Sequence, residues 1–176
     1  MMIIILVILG IGIAAAAVLA CAAAKPDWFH IQRSATINAS PEKIFPLIND
    51  LGLQATWSPF EKDANMRRKF SGPAQGKGAA YEWDGNREVG AGRIQIADST
   101  PPSKVVLNLH MLRPFKAQNI VEFTLAPEGN ATNVTWAMQG HQPYMAKLVS
   151  TFVDCDKMVG KQFEEGLAKL KGIAAA

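Results

Sequence analysis

The residue types that could do chemistry in this chain are three histidines, two closely spaced aspartates, and a few polar groups scattered among aromatics. His30, His110 and His141 fall on separate segments, and none stands at metal-ligand spacing from a cysteine or carboxylate. Asp154 and Asp156 lie two positions apart in a helical segment, so their side chains diverge by about 200° and cannot share a site. They read as surface charges. There is no Gly-x-Ser-x-Gly elbow. Gly90-Ala91-Gly92 is only a fragment of a dinucleotide fingerprint with no helix behind it, and glycine there serves sheet curvature or a bulge. No metal and no cofactor is expected. Two further polar side chains stand out: Tyr81 within a strand, and Arg113 before Pro114 at a strand end.

A second signal is aromatic. The stretch "QATWSPFEKDANM" places Trp57 and Phe60 around a Ser-Pro turn, where small polar residues are usual. Both rings must fold back into a core or be offered to a ligand, because leaving them in water gains nothing.

The elements that position these groups follow from periodicity. Asp27–Ala39 alternates loosely between apolar and polar residues and reads as a strand. Ser40 then offers an N-cap, Pro41 a first helical position, and Ile44, Phe45, Leu47 and Ile48 an apolar helix face, with Pro46 bending or offsetting it. Six further strands are predicted at 65–70, 77–83, 90–97, 104–112, 117–125 and 132–140, separated by Gly, Pro, Asn and Asp turns short enough to require antiparallel pairing. From Met145 to Leu170 apolar residues recur at three- and four-residue steps, which predicts one long amphipathic helix lying across the sheet. Gly160 and Gly166 within it permit close backbone approach. Strand parity then assigns Tyr81 and Trp83, Ile94 and Ile96, Leu107, Leu109 and Met111, Phe123 and Leu125, and Val134, Trp136 and Met138 to the inner face. His110 has the opposite parity and points outward.

Seven strands, a small helical insertion after the first and a long C-terminal helix resemble the helix-grip fold of START-like (Bet v 1-like) proteins, an α+β class. The pieces "RSATINASPEKIFPLIND", "WSPFEKD", "GKGAAYEWDGNREVGAGRIQI", "TNVTWAMQG" and "MVGKQFEEGLAKLK" make the chain similar to membrane-anchored SRPBCC proteins of the polyketide cyclase/dehydrase type. The resemblance covers nearly everything after Phe29. It implies a curved sheet around the helix, with an apolar pocket between them for a lipid-like, quinone-like or polycyclic molecule. The expected ligand-binding residues are Trp57 and Phe60 at the rim or as a plug, Tyr81, Trp83, Leu109, Met111, Phe123, Trp136 and Met138 from the sheet, and Met145 and Phe152 from the helix. Aromatase/cyclase relatives orient a poly-keto chain with Arg, Tyr and hydroxyl groups. Only Tyr81 and Arg113 could stand in for these here.

Composition bounds the rest. The 176 residues are 49% hydrophobic and 19% charged, which suits one globular domain, at residues 25–176. The net charge of +3 is small, and the basic run Arg67-Arg68-Lys69 has no nucleic-acid motif around it, so it reads as a solvated strand and no nucleic-acid partner is expected. Ile3–Ala24 contains no charged residue and no Asn, Gln, Ser or Thr. As a helix it would be roughly 33 Å long, enough to cross a bilayer. Residues 1–24 therefore read as a single-pass anchor, with a cleaved export signal or a lipoprotein box ending at Cys21 as the alternative. The positive-inside rule at Lys25 points to a cytoplasmic domain and the export-like segment points outward; the reading leans to the outer side. Cys21 and Cys155 are too far apart in setting to suggest a disulfide. The function expected is membrane-tethered binding of a hydrophobic small molecule. A cyclase or dehydratase is the alternative, and a protein-interaction module ranks third.

Overall fold

A computed structural model describes residues 2–175. Helix α1 (Met2–Ala23) is followed by strand β1 (Trp28–Ile37), helices α2 (Pro41–Asn49) and α3 (Leu51–Gln54), and strands β2 (Arg67–Ser71), β3 (Ala80–Asp84), β4 (Ala91–Thr100), β5 (Lys104–Arg113), β6 (Ala117–Glu128) and β7 (Ala131–His141). Helices α4 (Tyr144–Val149) and α5 (Cys155–Ala174) close the chain. All seven strands form one antiparallel sheet in the order β1-β7-β6-β5-β4-β3-β2. The meander from β2 to β7 follows from its short turns. The long connection from β1 to β2, which lie at opposite edges of the sheet, carries α2 and α3. This is the expected helix-grip fold.

Burial explains the arrangement. Inner-face residues Ile96, Leu107, Phe123, Leu125 and Val134 are buried against Phe163, Leu167 and Leu170 of α5 and Ile44 and Ile48 of α2. The helix comes close to the sheet because its glycines leave notches. A Cβ at Gly166 would lie 2.7 Å from the Trp136 ring and 3.0 Å from Pro59, and one at Gly160 would collide with the Arg33 guanidinium. Arg33, filling that notch from β1, pairs with Asp156 and Glu164 of α5 at 2.9 Å each. That contact holds the Asp156 carboxyl below its ordinary value.

Three expectations need correction. The C-terminal helix is not continuous, since α4 and α5 are separated by residues 150–154. The Ser150 and Thr151 hydroxyls fold back to donate to the Lys147 carbonyl, and the Asp154 side chain accepts from Lys157 N as the N-cap of α5. Hydroxyls and a capping carboxylate thus override an apolar period that runs through the break. Strand β3 starts at Ala80, not at 77, because Gly72, Gly76 and Gly78 all have positive φ and make the preceding segment a turn. Ser40 stands at the N-cap position of α2 without a side-chain hydrogen bond to the helix backbone. Around Gly90, where a sheet irregularity was anticipated, the β4–β5 register shifts between Ala91 and Gly92, and Gly90 has a φ of 67°.

Helix α1 has a mean hydropathy of 3.1 and is long and apolar enough to cross a membrane, a property that anchors share with export signals. Cys21 and Cys155 are both free thiols.

Two outcomes test this packing. Gly166→Leu overfills the space under Trp136 and should cost about 1–3 kcal/mol in chemical denaturation of the detergent-solubilised protein. Asp156→Asn should lower the melting temperature modestly at neutral pH. The Asp156 pKa is depressed in the folded state, so its contribution is present above the ordinary value of 3.8 and lost as pH falls through the folded value. The gap from wild type should therefore close in acid.

Candidate functional site: an apolar cavity under helix α5

The inner face is packed unevenly along the strands. Toward one end, Ile37, Ile96, Val105, Leu107, Leu125 and Val134 fill the space solidly. Toward the other, a cavity of about 390 Å³ remains between the sheet, the first half of α5 and the segment that follows α3. Small-molecule sites run from roughly 300 to 1,000 Å³, which puts this one at the compact end.

Each wall has a local cause. Asp50 caps α3 by accepting from Gly52 N and Leu53 N, and the turn that follows delivers Trp57 inward. The Trp57 indole donates to the Leu47 carbonyl at 2.9 Å and meets Phe123 and Trp136 edge-on at 5.8 and 5.6 Å. At 1% exposure Trp57 is a structural wall. Phe60, 40% exposed, sits at the rim with its ring 6.2 Å from Trp136. Trp136 stacks on Phe163 of α5 with centroids 4.3 Å apart and planes 8° from parallel. From the sheet, Tyr81, Trp83, Leu109, Met111, Phe123, Trp136 and Met138 all line the space. Met145 and Phe152 do not. The break between α4 and α5 carries both away from the sheet, and both are exposed.

Polar groups occur at two places. On the rim, the Tyr81 hydroxyl donates to Glu61 at 3.1 Å, and Arg68 donates to the other oxygen of the same carboxylate at 2.6 and 3.1 Å. Burial, reinforced by the Glu61 charge, pushes the Tyr81 phenol well above its ordinary value of 10. Tyr81 is therefore a hydrogen-bond donor already engaged, and no base at neutral pH. Among the lining residues, the Trp136 indole nitrogen and the Asn119 carbonyl oxygen are buried without a hydrogen-bond partner, the latter packed against Gly140. An orphaned buried polar atom costs about 1–3 kcal/mol.

Arg113 lies elsewhere: it and Arg67 pair with Asp84 at the sheet end, away from the cavity. His30, His110 and His141 are spread over the exposed surface. Among the described residues no group of three or more His, Cys, Asp or Glu could hold a metal.

Glu61, Arg68 and Asn119 were not anticipated as site residues. Asn119 shares strand parity with Phe123 and Leu125, a signal that placed it inward. Arg68, read as part of a solvated run, shares a face with Phe70, which stacks on Tyr81. Only the fold brings Glu61 to them.

A seven-stranded antiparallel sheet gripping a C-terminal helix around an apolar cavity defines a START-like domain. The chain belongs to the family described as polyketide cyclase/dehydrase and lipid transport, which matches residues 29–174. No curated protein matches it. Among solved structures, it resembles protein CV1439 from Chromobacterium violaceum at 13% identity and a TM-score of 0.60, covering 86% of this chain and 99% of that one. Major latex-like protein 151 from Panax ginseng gives 10% identity and 0.61, over 86% and 100% of the two chains. The Aha1 dimer from Colwellia psychrerythraea gives 20% and 0.57, over 81% and 93%. At such identities the likeness is one of fold.

The raised pKa of Tyr81 can be read directly. In an ultraviolet titration, the difference between wild type and Tyr81→Phe should show a phenol that stays protonated beyond pH 10. Glu61→Gln should bring it only part of the way back, since burial is the larger cause.

Proposed function

We propose that this protein binds a hydrophobic small molecule of the lipid, quinone or polyketide type in the cavity under α5, and that α1 holds the domain at a membrane. The observation that carries the reading is an apolar cavity of about 390 Å³ whose lining residues Trp136 and Asn119 each carry a buried polar atom without a partner. Packing normally removes both kinds of defect. A ligand with an apolar body and an oxygen function removes both at once. Its oxygen accepts from the Trp136 indole, and a hydroxyl on it donates to Asn119. The body gains roughly 25 cal/mol for each Å² of apolar surface taken from water. Membrane tethering suits such cargo, which concentrates in bilayers.

A cyclase or dehydratase reaction is the second reading, favoured by the Glu61–Tyr81–Arg68 cluster at the rim. In that case Glu61 would move a proton and Tyr81 would polarise a carbonyl. Glu61→Gln would then abolish turnover of a poly-keto substrate while leaving binding intact.

The first experiment is native and denaturing mass spectrometry of the full-length protein in mild detergent, before and after delipidation and exposure to phosphatidylcholine vesicles carrying total lipid extract. A stoichiometric adduct is expected, together with displacement of an anilinonaphthalene dye. Trp136→Phe keeps the stacked ring but removes the donor, and should weaken binding by about three- to tenfold. Leu109→Trp should fill the cavity and abolish the adduct without loss of the folded state. A delipidated protein that acquires nothing and binds no dye overturns the reading.

A further inference from the structure

Antiparallel pairing puts the start of β1, the end of β7, the β5–β6 turn and the β3–β4 turn at one end of the sheet: Trp28 faces His141, and Met111 faces Ala117. That is also the end from which α1 departs. There the surface is unusually apolar. Phe115 at the tip of the β5–β6 turn is 81% exposed, Phe152 between α4 and α5 73%, Met145 on α4 67% and Trp28 62%, with Leu112 and Val149 also exposed. Leu112 and Lys116 share an open surface cavity with His141 and Pro143, which joins the β5–β6 turn to the start of α4. Among the described residues, the β6–β7 turn at the opposite end carries no such cluster: residues 126–130 are Ala, Pro, Glu, Gly and Asn.

Polar contacts tie this surface to the end of α1. The Tyr144 hydroxyl donates to the Leu19 carbonyl at 3.2 Å, and Lys25 donates to the Ser150 carbonyl at 2.6 Å. Lys147, buried, pairs with Asp27. Tyr144 reaching Leu19 puts α4 beside the last turn and a half of α1, at the depth where a spanning helix meets the headgroups. Aromatic and aliphatic side chains gathered there, flanked by Lys25 and Lys116, have the composition of a membrane-interface belt.

From this continuity with α1 we infer that the α1-proximal end of the sheet, through Trp28, Leu112, Phe115, Met145, Val149 and Phe152, is a second membrane contact that beds the domain into the lipid interface. It rests on the reading of α1 as a spanning helix. The consequence for the site is directional. The cavity occupies the α1-proximal half of the inner face, reaching Trp83, Met111, Asn119 and Met138 near the strand ends, while the distal half is solid. Met111 lines both this cavity and the open surface one at the β5–β6 turn. The cavity thus lies in the half of the domain nearest the bilayer.

The test uses the full chain with Cys21→Ser and Cys155→Ser, reconstituted in phosphatidylcholine vesicles. Single cysteines are introduced by Phe115→Cys, Phe152→Cys, Asn130→Cys at the distal turn and Ile8→Cys in α1, and are labelled with an environment-sensitive fluorophore. Lipids brominated or spin-labelled at graded depths serve as quenchers. The expected result is quenching of the labels at 115 and 152 at about 5–10 Å below the headgroup plane, deep quenching at 8, and none at 130. Deep quenching at 8 with labels at 115 and 152 as unquenched as that at 130 overturns the inference while leaving the anchor in place. Loss of quenching at all positions overturns both. Labels at 115 and 152 shielded from aqueous iodide, unquenched by lipid and cross-linked between chains would assign the surface to a second copy instead, which also overturns it.

Discussion

The contact of Trp136 with Phe163 sets the height at which α5 rides over the sheet. Two aromatic planes lie 4.3 Å apart, and Gly166, one turn further along α5, lets the helix backbone settle against the edge of the same indole. Beyond that point toward the end of α5, Leu167 and Leu170 reach down between Ile37, Leu125 and Val134, and no space is left. Before it, Val159 and Gln162 line the open space, and the cavity begins. The pocket is thus the space left because the helix is pinned by a stacked pair near its middle and by the Arg33 ion pairs at its start.

This geometry separates two kinds of polar group. Glu61, Tyr81 and Arg68 satisfy one another at the rim, so they fix the loop after α3 against β2 and β3. Trp136 and Asn119 are held by packing and satisfied by nothing. The rim charges are thus neutralised within the protein, while the two orphaned atoms belong to residues that line the apolar cavity. Arg113, a candidate for polarising a ketone by its strand-end position, instead pairs with Asp84, which also pairs with Arg67.

Legibility followed the range of the interaction. Strand parity placed Tyr81, Trp83, Leu109, Met111, Phe123, Trp136 and Met138 on the inner face because pleat geometry is local and strict. The glycine notches at 160 and 166 were also readable, since a glycine inside a helix costs stability and needs a reason. The helix break was harder: hydroxyl back-bonding by Ser150 and Thr151 competes with an apolar period that continues across it, and the break alone removes Met145 and Phe152 from the pocket. The Glu61–Arg68 pair was beyond local reasoning, because its partners meet only when a loop crosses the sheet edge. Asn119 lay within reach of the parity rule, yet an amide among Val121, Phe123 and Leu125 does not announce itself when only apolar residues are sought.

Strand β1 follows α1 after four residues and is hydrogen-bonded on one side only, to β7, through ten consecutive residue pairs from Trp28–His141 to Ile37–Thr132. Any pull on α1 along the strand axis is therefore carried in shear by the whole ladder together, not by peeling its bonds one at a time. Arg33, midway along that strand, passes part of the load directly to α5. The join between the apolar helix and the folded domain is thus loaded in shear along its whole length, although β1 is an edge strand.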